Sequence, residues 1–303
     1  MLDNLNREMK MKKGKTDYCG SYDSRSDREF TFKNWTFRSR EPTDVNIFCM
    51  GAAQTVGRYE NEPFSEILGN KISTNVMNLG KSGAGYEFFL QDDIINLINT
   101  KGKLCVLQVL SGRSVSTSYF DLYNKSELGG KILNYNATLF FTEKAKSIGL
   151  VEFDKQNEDW QKAVPWNCPS RELPSSHSEL VFPFFIKNES LENRRKLFDE
   201  MLTNYKIKFD ELRDKIKIPI ILLYLGKEDY VGKKNITENN YEDFGTWPTI
   251  IGQTEVEYMK SKCEYFVSHL MESPGYCPDK QEHIEISLKL ENIIKEGGFN
   301  CEK

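Results

Sequence analysis

Three short segments concentrate the side chains of this chain that could do chemistry. They read Gly51-Ala52-Ala53-Gln54-Thr55-Val56-Gly57-Arg58, Gly80-Lys81-Ser82-Gly83 and Ser111-Gly112-Arg113-Ser114. Arg58 and Arg113 carry planar, permanently charged forks of donors, suited to a carboxylate, sulfate or phosphoryl group. Thr55 and Ser82 carry hydroxyls that could act as nucleophiles or could serve as turn and helix-capping groups. His283, one of three histidines with His177 and His269, can exchange a proton near neutrality or be a satisfied core residue. Asp279 stands four residues before His283, as a helix cap or as its carboxylate partner. Arg113 has a bland alternative in a surface ion pair. In the functional reading the set performs acid/base or anion-holding chemistry on a polar substrate, with Gly51, Ala53, Gly80, Ser111 and Ser114 lining the binding crevice.

Other chemistries are disfavoured. Gly80-Lys81-Ser82 ends like a phosphate-binding loop, but Asn75 stands where its first glycine is required. The seven cysteines, at 19, 49, 105, 168, 263, 277 and 301, form no pair or histidine cluster at zinc-ligand spacing. No structural or catalytic metal and no cofactor are expected. With 41 basic and 45 acidic residues intermixed and a net charge of −4, no sustained basic face is available for nucleic acid. Trp160, Trp166, Tyr119 and Phe120 could stack on sugar rings or pack in a core or lid.

All three segments follow apolar runs that read as strands. Val45-Asn46-Ile47-Phe48-Cys49-Met50 stops at Gly51, Asn75-Val76-Met77-Asn78-Leu79 stops at Gly80, and the run from Leu104 to Leu110 stops at Ser111. Near-continuous hydrophobicity of this kind belongs to strands buried on both faces of a parallel sheet. A helix opening with Pro63 in its first turn and a second over 89–98 separate them, the spacing of right-handed βαβ units. Further on, Phe198, Leu202, Tyr205, Phe209, Leu212 and Ile216 recur at helical spacing. A fourth strand begins at Pro219 and a weaker fifth at Tyr265. Asp279 with Glu282 forms a capping-box pattern for a last helix ended by Gly297-Gly298, which puts His283 in its first turn.

At 303 residues with 39% hydrophobic content, the chain can bury a sizeable core. Residues 1–40 read as a polar tail leading into a packed extension near Phe30, Phe32, Trp35 and Phe37. Residues 41–303 read as one α/β domain with a large insertion at about 118–190, a candidate lid. The polar N-terminus has no apolar leader region and no stretch is long enough to span a bilayer, so a cytoplasmic protein with reduced thiols is expected.

The order strand-Gly-x-x-x-Thr, Asn-Leu-Gly-x-x-Gly, strand-x-Gly-x-Ser and a histidine opening the final helix resembles the SGNH (GDSL-esterase-like) superfamily over about residues 45–295. It resembles in particular a divergent bacterial branch sharing the Gly-Ala-Ala-x-Thr turn and the Ser-Gly-Arg-Ser segment. The resemblance implies a three-layer α/β/α, flavodoxin-like parallel sheet of order 2-1-3-4-5 and ester cleavage by serine, an oxyanion hole and an Asp-x-x-His pair. Gly51 and Gly80 match the family's glycines and His283 its general base. Ala52 and Ala53 stand where the aspartate and the nucleophilic serine would be, and Arg113 occupies the approximate place of the asparagine. A methyl group cannot attack an acyl carbon. The expected function is therefore a hydrolase or group transferase acting on a carbohydrate or another polar or anionic small molecule. His283 would be acid/base, with Thr55 or Ser82 as substitute hydroxyls and Arg113 as the anion-holding group. The alternative is an inert SGNH-fold ligand-binding protein. Neither membrane nor nucleic acid is expected as a partner, and oligomeric state is not fixed by the sequence.

Overall fold

The computed structural model describes residues 30–32, 35–39, 45–57, 59–81, 83–118, 120–122, 131–133, 190–237, 239, 251–273 and 277–299. In chain order the elements are β1 (Phe30–Phe32), β2 (Trp35–Phe37), β3 (Ile47–Met50), α1 (Ala53–Val56), α2 (Phe64–Lys71), β4 (Val76–Asn78), α3 (Tyr86–Phe89), α4 (Asp92–Lys101) and β5 (Leu104–Gln108). They continue with β6 (Phe120–Leu122), β7 (Lys131–Leu133), α5 (Leu191–Lys215), β8 (Ile220–Gly226), α6 (Gln253–Lys260), β9 (Tyr265–Leu270) and α7 (Lys280–Glu296).

Five strands form one parallel sheet in the order β4-β3-β5-β8-β9, the 2-1-3-4-5 arrangement expected from the apolar runs. β3, β5 and β8 are buried at every position because helices cover both faces. Ile47, Cys49, Val106, Leu223 and Leu225 pack toward Phe64 and Leu68 of α2 and Ile286, Leu290 and Ile294 of α7. Phe48, Met50, Cys105, Leu107, Leu222 and Tyr224 turn the other way, toward α3, α4, α5 and α6. This alternation follows from the two-residue repeat of a strand, and each enclosed Leu or Ile contributes about 1.5–3 kcal/mol.

Several boundaries differ from the sequence reading. Pro63 is the residue before α2, with extended backbone, so its fixed φ launches the helix from outside the first turn. The helix expected over 89–98 is two helices, because Gln91 is extended and α4 starts afresh with Asp92 and Asp93 in its first turn. α5 begins at Leu191, where the Ser190 hydroxyl accepts the Asn193 N–H at 3.2 Å. β9 runs to Leu270, longer than the three residues expected. The packed N-terminal extension is an antiparallel β1–β2 hairpin. β6 and β7 form a second small antiparallel pair, and the other residues of the expected lid lie outside the described ones. Among the described residues no helix is long and apolar enough to cross a membrane.

Candidate functional site

The chain leaves β3 toward β4 on one side and leaves β5 toward β8 on the other, so the segments 51–57 and 109–118 part company at the carboxyl edge of the sheet. This is the topological switch point at which open α/β sheets offer a crevice. The 80–85 turn joins the same edge, because the Lys81 N–H donates to the Gly51 carbonyl at 2.9 Å.

A buried glutamine organises the first segment. Gln108, the last residue of β5, accepts the Ala52 N–H at 3.0 Å and the Thr55 hydroxyl at 2.7 Å on one oxygen. Its amide donates to the Gln54 side chain at 3.1 Å. Gln108, Gln54 and Thr55 are almost wholly enclosed. Gly51 has to lack a side chain here, since a Cβ would overlap both the Thr55 hydroxyl and the Gln108 oxygen. Ala53, in the first turn of α1, is buried and presents only a methyl group.

Asn78 performs the matching task at the end of β4. Its amide donates to the Thr55 carbonyl at 2.8 Å and to the Ser65 hydroxyl at 3.0 Å. Its oxygen accepts the Gly80 N–H at 2.8 Å. The Gly80 N–H is thereby satisfied within the protein.

The third segment is held by two tyrosines. The Leu110 N–H donates to the Tyr86 hydroxyl at 3.4 Å, and the Tyr205 hydroxyl donates to the Leu110 carbonyl at 2.9 Å. The two hydroxyls lie 3.0 Å apart. Both hydroxyls also lie against the Met259 sulfur, and together the two rings supply the N–H and the carbonyl of Leu110 with partners where the chain turns away from the sheet. The turn that follows is closed by the Ser114 N–H on the Ser111 carbonyl at 2.9 Å. Ser111 is buried, whereas Arg113 and Ser114 are half-buried. Gly85 lies so close to the Ser114 carbonyl that a Cβ could not be accommodated.

His283 occupies the opposite face of the sheet. It is fully enclosed in the first turn of α7, stacked on Phe64 with ring centres 6.0 Å apart. Its Nδ1 accepts the Phe64 N–H at 3.1 Å and so caps α2. Burial, reinforced by the nearby Arg38 charge and opposed by Glu282 and Asp279, lowers its pKa from 6.5 to about 4. The imidazole is therefore neutral at pH 7, and an accepting Nδ1 places the proton on Nε2. No group among the described residues bonds that Nε2. Arg38 closes the end of α1 from outside, donating to the carbonyls of Gly57 at 2.5 Å and Asn61 at 2.7 Å.

Asp279 is engaged as the cap of α7, its carboxylate accepting the Glu282 N–H at 3.0 Å. Glu282 returns the bond to the Asp279 N–H at 2.8 Å and also accepts the N–H groups of Glu272 and Ser273. Burial works against this carboxylate, but those donors hold its pKa below the ordinary value. His269, near the end of β9, is likewise buried, with neither ring nitrogen bonded among the described residues. Burial pushes its pKa down.

The structure thus gathers Gly51, Ala53, Thr55 and Gly80 around Gln108 and Asn78. The Arg113 turn is braced by α3 and α5 on one face, and His283 sits among α2 and α7 on the other. The imidazole caps the α2 N-terminus through Nδ1, and its Nε2 faces Gly57 at the end of the first segment. Arg58 and Ser82 lie outside the described residues, as do Tyr119, Trp160, Trp166, Cys168 and His177. Among the described residues no group of three His, Cys, Asp or Glu side chains is placed to hold a metal ion. Gln108 and Asn78 are the organising residues that motif reading missed. Their signal was a polar side chain ending an otherwise apolar strand.

The model of a family described as a domain of unknown function (DUF6473) matches residues 28–126. No curated protein matches the chain. Among solved structures, one similar chain is a protein assigned to the lipolytic G-D-S-L family from Desulfitobacterium hafniense DCB-2. It is 11% identical, with 82% of this chain and 99% of that chain covered and a TM-score of 0.38. Another is a carbohydrate esterase family 2 enzyme with a carbohydrate-binding domain from Corynascus thermopiles (Myceliophthora fergusii). It is 12% identical, with 87% and 70% covered and a TM-score of 0.34.

Proposed function

We propose that this protein uses an SGNH-like α/β scaffold to bind a polar or anionic small molecule or glycan, and that it is inert toward esters. The observation that carries the reading is the Phe64 N–H donated to Nδ1 of His283, from which the tautomer of the neutral ring follows. A serine-type hydrolase needs the Nδ1–H directed at a carboxylate and the Nε2 lone pair free to take a proton from the nucleophile. Here Nδ1 is the acceptor and Nε2 bears the hydrogen, so the ring has no lone pair to offer an attacking hydroxyl. Two further features agree. Thr55 gives its proton to Gln108, and the Gly80 N–H is taken by Asn78.

In this reading Arg113 holds the negative charge of the ligand beside the small floor of Gly51, Ala53 and Gly80, with Ser111 and Ser114 in the adjoining turn. Isothermal titration with inorganic sulfate, inorganic phosphate, glucuronate and a sulfated monosaccharide tests it. At least one probe should bind the wild type. Arg113→Lys keeps the charge but loses the fork, and should weaken binding by roughly 1–3 kcal/mol if the contact is bidentate. Arg113→Ala should abolish it. Equal affinity in the wild type and Arg113→Ala would refute the assignment.

A further inference from the structure

We infer that Glu87 and Glu200 are positioning residues that set the orientation of the Arg113 turn and hence the affinity of the ligand site, an inference that rests on the binding role proposed for Arg113. Each carboxylate takes both donors of one serine. Glu87 of α3 accepts the Ser116 N–H at 2.7 Å and its hydroxyl at 2.8 Å. Glu200 of α5 accepts the Ser118 N–H at 2.6 Å and its hydroxyl at 2.7 Å. The third polar group of Ser116, its carbonyl, accepts the Asn204 amide of α5 at 2.9 Å.

Two-point, charge-assisted attachment fixes direction as well as distance. A single bond leaves the chain free to swivel, whereas paired bonds from N–H and hydroxyl to one carboxylate do not. The Arg113 turn therefore hangs between two anchors. Leu110 is fixed by Tyr86 and Tyr205 before it, and Ser116 by Glu87 and Asn204 after it.

The braces come from separate parts of the chain. α3 directly follows the 80–85 turn, whose Gly85 already touches the Ser114 backbone. Glu87 consequently locks the second and third site segments to each other. α5 begins at Leu191, so Glu200 ties Ser118, at the far end of the segment that follows β5, to a helix from a later part of the chain. A turn ordered before the ligand arrives loses less conformational freedom on binding, so a rigid mount for Arg113 raises affinity with no contact of its own.

The experiment measures titration affinity for the probe that binds the wild type, together with the thermal midpoint and hydrogen exchange of the 111–118 amides. Variants are Glu87→Ala, Glu200→Ala, Ser116→Ala, Ser116→Thr and Arg113→Ala. Glu87→Ala and Glu200→Ala should each lower affinity roughly tenfold through lost preorganisation, with faster exchange confined to 111–118. Ser116→Ala removes one hydroxyl, too small a change to unfold the domain, and should lower affinity with an unchanged midpoint. Ser116→Thr keeps both donors and should restore it. Arg113→Ala binding like the wild type, or a wild type that binds no probe, overturns the binding reading and this inference with it. Loss of binding in Arg113→Ala with wild-type affinity in Glu87→Ala and Ser116→Ala overturns the positioning role alone.

Discussion

The Phe64 N–H donates to Nδ1 of His283 at 3.1 Å, joining residues 219 positions apart and making one imidazole the N-terminal cap of α2. Because α2 and α7 share the Ile47, Cys49 and Val106 side of the core, this bond also registers the last helix against the first crossover helix. Replacing His283 with Ala should lower unfolding free energy by about 2–4 kcal/mol, the sum of a lost ring and a stranded N–H. His283→Phe fills the space but leaves the N–H unpaired, and should recover only part of the loss in urea titrations.

Acid should act through the same ring. The folded pKa of about 4 lies below the unfolded 6.5, so the neutral form is favoured by the fold. Its contribution is complete above pH 6.5, declines as the pH falls toward 4, and amounts to about 3 kcal/mol in total. His269, also lowered by burial, adds in the same direction. Glu282, held below 4.5, contributes above its unfolded pKa and loses that contribution on further acidification. Unfolding titrations between pH 7.5 and 4 should show this slope in the wild type and a shallower one in His283→Phe. Parallel curves would refute the buried neutral state.

Gln108 should prove structural. Gln108→Leu strands the Ala52 N–H, the Thr55 hydroxyl and the Gln54 oxygen, and should cost about 2–4 kcal/mol. Thr55→Val removes a single donor while Gln108 keeps Ala52, so a loss of about 1 kcal/mol with unchanged probe affinity is expected. A Thr55→Val protein of normal stability that had lost a measurable esterase activity would restore Thr55 as a nucleophile.

Where residues acted through their neighbours in sequence, the chain could be read directly. The buried runs at Ile47, Leu104 and Ile220 announced their strands, and Asp279 with Glu282 announced the start of α7. Gln108 was hidden in the Leu104 run and Asn78 at the end of the Val76 strand, because their distant partners, Thr55 and Ser65 among them, meet them only after the chain folds. The role of His283 was hidden for the same reason. Its place in the first turn of a helix at the sheet edge was legible, but nothing near it in sequence shows that Phe64 points an unpaired N–H at it. The short α1 and the two-helix break at Gln91 carried too few residues for a periodic signal.

The most direct test is intact-protein mass spectrometry after incubation with a serine-reactive fluorophosphonate, run beside hydrolysis of aryl acetates. With Ala53 in the place of the nucleophile, Thr55 bonded to Gln108 and His283 lacking a free lone pair, the mass should stay unchanged and aryl acetate turnover should stay at background. A stoichiometric phosphonate adduct on a single hydroxyl, at Thr55 or Ser82, together with turnover that the reagent abolishes, would contradict the binding reading and make this protein a hydrolase.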